Sequence, residues 1–292
     1  MHDCCYYNRY KSHSIRFLSN ITGCTMTTIN EQVKKLLLET QSNKTAIPQE
    51  LDLVEMPLEG MAAYWLAIHK SISGKKNKNF LLSEASHSSE RFISYLLELC
   101  ASNLSADDIV RLARVKKETL LRDLGRKLVM MAIAVLGVAA SENPQKIMLR
   151  FLSKFPVPPI FERQVFELIQ LVIKNLDNPD FDSARFFHID HRLKTETLII
   201  NLIFYCMYLR RQEKNILEHL LPNIRSHYFR EGLSLTLDGF DLDFIKFRLK
   251  LQENEILQET RLKAEMSIEL CAAIKSGVSY ADSHLIAKSY MH

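Results

Sequence analysis

Residues 128–140 read LVMMAIAVLGVAA, and residues 197–209 read TLIINLIFYCMYL. Neither run contains a charged side chain, so each predicts a helix that is buried on all sides. A helix of this length spans about 20 Å, which is shorter than the bilayer core of about 30 Å. Asn201, in the second run, also argues against a surface that contacts lipid. We therefore expect two central helices of a folded domain, with no transmembrane segment.

The composition indicates helices joined by short loops. The chain has 8 glycines in 292 residues, although phosphate-binding loops and tight hairpins depend on glycine. Its hydrophobic content of 47% is enough to form a substantial core. The net charge of +4 is compatible with an acidic partner but is low for a nucleic-acid-binding domain. The predicted fold class is all-α, an irregular multi-helical domain with a long C-terminal helix.

The cysteines predict a reducing compartment. Cys100, Cys206 and Cys271 fall in apolar helical patterns, where a free thiol behaves as a small hydrophobic side chain. No CxxC motif occurs, and no apolar signal-peptide core follows Met1, so we expect a cytoplasmic protein.

Changes in pattern along the chain predict four segments. A helical period begins only after residue 25, where Thr28 and Glu31 match a capping box. The residues before it are expected to be flexible, or to precede the true start of the protein. The predicted segments are a flexible arm (1–25), a small N-terminal helical part (26–80), the main helical domain (81–240), and the long C-terminal helix with its tail (241–292).

The stretch FFHIDHRLKTE at 186–196 contains the side chains best suited to bind a metal ion. On a helix, His188 and His191 would share a face, and Glu196 is the nearest third ligand. Alternatively, Asp190 caps the apolar helix that follows. We favour the cap and predict no metal and no cofactor. A metal-dependent hydrolase centred on His188 and His191 is the second alternative function.

The segment LSADDIVRLARVKKETLLRDLGRKL at 104–128 begins with a helix cap formed by Ser105 and Asp108. In one straight helix, Lys117 would point into the apolar face and Val115 would point away from it. A break between Arg114 and Lys117 removes both conflicts. We therefore predict two helices separated by a turn.

So divided, the segment resembles a DNA-binding helix-turn-helix, with ADDIVRLARV as the first helix and KKETLLRDL as the recognition helix. It departs from the family pattern at Val110, where a small residue is usual, and at Arg114, where glycine is usual. A DNA-binding regulator is therefore the first alternative function. The resemblance implies contacts to phosphates and bases by Lys116, Lys117, Thr119 and Arg122.

The C-terminal region predicts a long helix from Asp241 to Ser276, ended by Gly277. The preceding SLTLDGF at 234–240 is the one place where the pattern allows a short strand or hairpin, and a strand also competes with helix in FDLDFIKFRLKL at 240–251. A four-residue apolar spacing marks the second half of the helix. This stripe either packs on its own domain or binds a partner protein, and it consists of Leu262, Met266, Leu270 and Ile274.

The sequence contains no GxxxxGK[ST], GxGxxG, GxSxG or HExxH motif. We therefore predict no catalytic residues and a non-enzymatic adaptor or scaffold subunit that binds other proteins through helical faces. The composition of stretches such as KSISGKKNKNFLL and NLIFYCMYLRRQEKNILEHLL resembles accessory subunits or effectors of Dot/Icm-type bacterial type IV secretion. This resemblance implies a cytoplasmic subunit of a coupling complex, and it assigns no site residue.

Overall fold

The computed structural model describes residues 51–72, 78–176, 184–211 and 215–291. All of them belong to one compact unit, Gln49–His292. The predicted arm (1–25) and the helix expected at Thr28 lie outside the described residues. Every regular element that the structure describes is helical, which confirms the all-α prediction.

Twelve α-helices occur in the described ranges. In chain order they are α1 Leu58–Ile72, α2 Lys78–His87, α3 Arg91–Ala101, α4 Ala106–Ala139, α5 Pro144–Leu152, α6 Glu162–Lys174, α7 Ala184–Phe187, α8 Thr195–Leu209, α9 Asn215–Leu220, α10 His227–Leu237, α11 Leu242–Ser276 and α12 Tyr280–Tyr290, with a short 3₁₀ turn at Leu221–Asn223. No helix among them has both the length and the apolar character needed to cross a bilayer.

The two long helices α4 and α11 form the axis of the unit. They run antiparallel, because Arg114 and Glu118 near the start of α4 contact Glu265 and Arg261 in the second half of α11. Further along α4, Gly125 lies opposite Leu257. At about 1.5 Å per residue, each helix is roughly 50 Å long.

Two hydrophobic cores lie along this axis. The first contains the second half of α4, helices α5, α6 and α8, and Ile245 and Leu249 at the start of α11. The second contains α1 to α3, the start of α4, and residues 264–271 of α11. Each long helix therefore contributes one half to each core.

Helix α8 lies at the centre of the first core. Its residues 198–207 are all buried, as the uncharged run predicts. Asn201 is buried too, and its amide donates hydrogen bonds to the carbonyl oxygens of Arg185 and His188 at 3.0 and 2.8 Å. Cys206, like Cys100 and Cys271, is a buried free thiol, in agreement with the sequence.

Several helix ends form where the sequence predicts them. Ser105 caps α4 by accepting a hydrogen bond from the backbone N–H of Asp108 at 3.1 Å. Asp241 caps α11 through the N–H of Phe244 at 2.9 Å. Gly277 ends α11 with φ of 72°, a conformation that glycine adopts without strain.

The short strand considered at 234–240 is helical instead, and the long helix predicted from Asp241 forms without the strand that competed with it at 240–251. Residues 234–237 complete α10, and the stretch from Leu242 onward begins α11. The apolar residues of FDLDFIKFRLKL lie on two opposite faces of this helix, one buried and one exposed. Their alternation with charged residues therefore does not reflect the pleat of a strand.

Candidate protein-docking surface

An apolar face lies exposed on the first three turns of α11. Ile245 and Leu249 point into the first core with exposures of 0% and 1%, whereas Phe247 is 66% exposed. Phe244, Phe247 and Leu251 follow the i, i+3, i+7 spacing of one helix face. Together with Phe240, which precedes the helix cap, they form what we call the outer aromatic face: Phe240, Phe244, Phe247 and Leu251.

Two members of this face, Phe240 and Phe244, contact each other. The rings of Phe240 and Phe244 stack with their centroids 4.8 Å apart and their planes 21° from parallel. Each of the four side chains exposes at least two fifths of its surface. Contiguous exposed apolar side chains on a folded domain are typical of interaction sites.

Charged side chains follow this face in a definite order. Asp243 lies beside its N-terminal end, and Lys246 and Lys250 lie further along the helix; all three are exposed. Lys250 also contacts Glu253 at 2.8 Å. Arg248 turns the other way and contacts Glu231 of α10 at 2.9 Å. The border of the outer aromatic face is therefore acidic at one end and basic at the other.

The stripe that the sequence offers as a partner-binding surface lies mostly inside the chain. Met266 and Leu270 are 0% and 1% exposed in the second core, and Ile274 is half-buried against it. Of the four, Leu262 alone is exposed. A four-residue step turns about 400° around a helix, so the stripe drifts by about 40° per step from the surface into the core. The stripe therefore packs mainly on its own domain, which is one of the two roles that the sequence left open.

Helix α4 shows no break at the predicted turn, so the helix-turn-helix interpretation is wrong for residues 105–124. Val115 is 69% exposed and Lys117 is 8% exposed, so the apolar side chain points outward and the charged one points inward. The Nζ atom of Lys117 lies 2.5 Å from Oε2 of Glu265 in α11. This ion pair lets a lysine occupy the inner face, because a buried charge is tolerated when it is paired.

Glu265 is held in its charged form by α4. Burial alone would raise the pKa of Glu265, but hydrogen bonds from Lys117 and Arg114 outweigh burial and lower it. Nε of Arg114 is 2.9 Å from Oε1 of Glu265. Basic side chains that a DNA-binding protein would present to phosphates are used here to join the two long helices.

The remaining predicted DNA contacts are dispersed. Lys116 lies over the Tyr95 ring, with Nζ 5.6 Å from its centroid. The Thr119 hydroxyl donates to the carbonyl oxygen of Val115 at 3.1 Å, and Arg122 is exposed. These residues share one straight helix with Lys117 and do not form a separate recognition helix.

The HIDH stretch is a turn between α7 and α8, not the start of a helix. Lys194 occupies the N-cap position of α8, so the cap predicted at Asp190 is wrong. The Asp190 carboxylate is buried and accepts a hydrogen bond from the backbone N–H of Arg192 at 2.9 Å. It stabilises its own turn rather than the helix beyond.

His191 connects this turn to the segment before α1. Its Nε2 is 3.3 Å from Oδ1 of Asp52, and its Nδ1 is 3.3 Å from Oδ1 of Asp190. Arg192 contacts both carboxylates at 3.4 and 3.6 Å. Lys127 of α4 donates to the carbonyl oxygen of His191 at 2.9 Å. The result is a buried ionic cluster that links the first core to the second.

Charge in this cluster is compensated. Burial alone would raise the pKa of Asp52, but the contact with His191, the backbone N–H of Val54 and the charge of Arg192 lower it to about 2. Burial raises the pKa of Glu90, which lies beside Asp52 and accepts hydrogen bonds from the N–H groups of Leu53 and Phe92.

These contacts use the groups that a metal ion would need. Both ring nitrogens of His191 face carboxylates within the cluster, and burial lowers the pKa of His188. Among the described residues, no group of three or more His, Cys, Asp and Glu side chains is arranged to hold a metal ion.

An open groove of about 810 Å³ lies between α5, α6 and the end of α8. Its walls carry both signs of charge, including Glu162, Glu167, Arg163 and Arg210. Arg163 and Glu167 contact each other at 2.8 Å. The groove does not favour a ligand of either charge.

Comparison with protein-family models, curated proteins and solved structures finds no match. The outer aromatic face therefore stands on its geometry alone. Sequence reasoning missed it because FDLDFIKFRLKL was compared with a strand. With the helical period of 3.6 residues per turn, Ile245 and Leu249 fall on one side of the helix. Phe244, Phe247 and Leu251 fall on the opposite side.

Proposed function

We propose that this chain is a non-enzymatic adaptor or scaffold subunit that binds protein through exposed helical faces, and that the outer aromatic face is its main docking surface. The observation that carries the proposal is the position of Phe244, Phe247 and Leu251 opposite the buried side of α11. Large apolar side chains at i, i+3 and i+7 are the anchors by which helices bind other helices or grooves.

Exposed phenylalanine side chains favour a partner on energetic grounds. The exposed part of a phenylalanine on a helix face adds little to folding, and it carries a risk of aggregation. Removing its exposed surface from water stabilises a complex by about 25 cal/mol per Å². Aromatic side chains are enriched among the residues that dominate binding energies.

The rigid helix supports this role. The outer aromatic face is held by a cap at Asp241, by Ile245 and Leu249 in the first core, and by the Arg248–Glu231 contact. Its side chains are therefore arranged before a partner arrives, which lowers the entropy lost on binding.

Membership of a type IV secretion coupling complex and a cytoplasmic location stay predictions from the sequence.

A pull-down with a matched pair of variants tests the proposal. Phe247→Glu places a charge in the outer aromatic face, whereas Leu262→Glu places one on an exposed site of the same helix, outside that face. We expect nuclease-treated native lysate to yield stoichiometric protein with the parent chain and with Leu262→Glu, and much less with Phe247→Glu. Equal recovery with both variants, or recovery of nucleic acid alone, would contradict the proposal.

A further inference from the structure

We infer that the outer aromatic face binds a second copy of this chain, with the two α11 helices antiparallel about a two-fold axis near Phe247. This inference rests on the proposed function and names the protein that covers its docking surface. It is drawn from the order of charges along the border of that face, which is complementary to itself when reversed.

Asp243 and Lys250 occupy the same border, about 40° and 60° around the helix from Phe247. Lys246 is turned about 100° from Phe247 and lies outside that border. Asp243 and Lys250 are seven residues apart, which is about two turns, so they lie on one side of the helix roughly 10 Å from each other. Both are exposed, and Phe247 lies between them in the chain. Asp243 is about 6 Å before Phe247 and Lys250 about 4.5 Å after it along the helix axis.

A two-fold axis perpendicular to both helices brings equivalent borders together and reverses their direction. Asp243 of each copy then lies opposite Lys250 of the other, with an offset of about 1.5 Å along the axis. The two ion contacts are equivalent by symmetry. A parallel two-fold arrangement would instead place the border with Asp243 and Lys250 against the apolar border of the other copy.

The apolar side chains satisfy the same register. Phe247 packs against Phe247 of the second copy at the axis. Phe244 lies about 4.5 Å before the axis and Leu251 about 6 Å after it, so each Phe244 meets a Leu251. An aromatic ring paired with a leucine fills the interface at both ends, as antiparallel helix packing requires.

The charges also distinguish a second copy from a lipid surface. Helices that lie on membranes carry mainly lysine and arginine along their polar border. Here Asp243 lies on the same border as Lys250, and Asp241 caps the helix beside Phe240. An anionic bilayer would repel the acidic end of the face.

The exposed surface sets the strength of the interaction. Four side chains of about 200 Å² each, roughly half exposed, supply on the order of 400 Å² per copy. This is about half of what a standard stable interface buries on each side. We therefore expect a reversible dimer that forms in the micromolar range.

Sedimentation velocity on the full chain tests the inference. The concentration should cover about 1–500 μM, the range appropriate to a small interface. We expect the parent chain and Leu262→Glu to pass from monomer to dimer, and Phe247→Glu to remain monomeric. A parent chain that stays monomeric throughout would overturn the inference, whereas the pull-down would still decide the proposed function. A dimer that persists in Phe247→Glu would overturn it too.

Charge reversal tests the register without relying on Phe247. Asp243→Lys alone and Lys250→Asp alone each place like charges opposite each other, and we expect each to weaken self-association by about tenfold. An equimolar mixture of the two variants restores both opposite-charge contacts, so mixed dimers should form with parent-like affinity. Failure of the mixture to associate better than either variant would overturn the antiparallel pairing.

Vesicles distinguish the remaining class of occupant. We expect no co-sedimentation of the parent chain with vesicles of phosphatidylcholine and phosphatidylserine. Binding that disappears in Phe247→Glu would make the face a membrane contact and would overturn the inference.

Discussion

Lys117 and Lys263 show how single buried charges shape this molecule. Lys117 contacts Glu265 across the two long helices. Lys263 is 1% exposed, and its Nζ donates to the carbonyl oxygens of Val54 and Met56 at 3.0 and 2.6 Å and contacts Glu259 at 2.9 Å. Both lysines hold neighbouring segments in register, because leaving either one unpaired in the interior would destabilise the fold.

At this scale, Asp52 gives a pH-dependent prediction. Its folded-state pKa is lowered from 3.8 to about 2, so its ionised form stabilises the fold above the unfolded value and this contribution is lost as the pH falls towards 2. Asp52→Asn keeps an oxygen that can accept from Val54 but removes the charge. We expect it to lower the free energy of unfolding by about 2 kcal/mol at pH 7.

Urea unfolding at a series of pH values checks this prediction. The difference between Asp52→Asn and the parent chain should shrink as the pH is lowered from 4 towards 2. Glu98→Gln removes an exposed carboxylate on the nearby helix α3 and serves as a control, with little effect at any pH. A difference that stays constant over this range would contradict the assigned role of the Asp52 charge.

Side-chain roles were only partly predictable from the chain. Buried thiols and the polar residue within α8 follow from apolar surroundings. The partner of Lys117 does not, because Glu265 lies 148 residues away and only the antiparallel packing of α4 on α11 brings them together. Without that partner, a break in the helix was the consistent way to keep a lysine out of the core.

At the scale of elements, the two glycines of α4 differ in how closely a neighbouring helix approaches them. A Cβ atom at Gly137 would collide with the side chain of Ile147 in α5, whereas one at Gly125 would lie 3.5 Å from Leu257 of α11, an ordinary contact. Both glycines lie within the same helix, where alanine is otherwise favoured. They form a matched pair for the same substitution.

We expect Gly125→Ala to raise the free energy of unfolding by about 0.5–1 kcal/mol and Gly137→Ala to lower it by about 1–3 kcal/mol. Chemical denaturation followed by circular dichroism measures both. Adding Ile147→Val to Gly137→Ala removes the methyl group nearest the new side chain and should recover part of the loss. Similar stabilisation by both glycine substitutions would contradict the close approach of α4 and α5.

The helices themselves were largely predictable, because caps and uncharged runs are local signals. Ser105, Asp241 and Gly277 mark their helix ends in the sequence as they do in the structure. The strand considered at 234–240 was wrong because its short alternation of apolar residues fits either period. The outer aromatic face was missed for the same reason, since the alternation in FDLDFIKFRLKL was compared with a strand.

At the scale of the whole molecule, α4 and α11 connect two cores, and a buried ionic cluster joins them at Asp52 and His191. We expect the described unit to unfold as one cooperative system. Trp65 is the sole tryptophan of the sequence and is fully buried in the second core. Its fluorescence therefore reports on that core alone.

Phe204→Leu, a substitution in the first core, tests this coupling. Phe204 is 0% exposed and contacts the rings of Phe187 and Tyr208, so its loss should destabilise by about 1–3 kcal/mol. The urea midpoint from Trp65 fluorescence should fall by the same amount as that from circular dichroism. Phe161→Leu, at an exposed position, is the control; an unchanged Trp65 transition in Phe204→Leu would contradict the coupling.

The most direct test of the docking surface is photo-crosslinking from benzoylphenylalanine at position 247, compared with position 262 of the same helix, in cells that produce the full chain. We expect a discrete protein adduct from position 247, at twice the mass of the chain for a second copy, and little from position 262. No adduct from position 247, or equal adducts from both positions, would contradict this prediction.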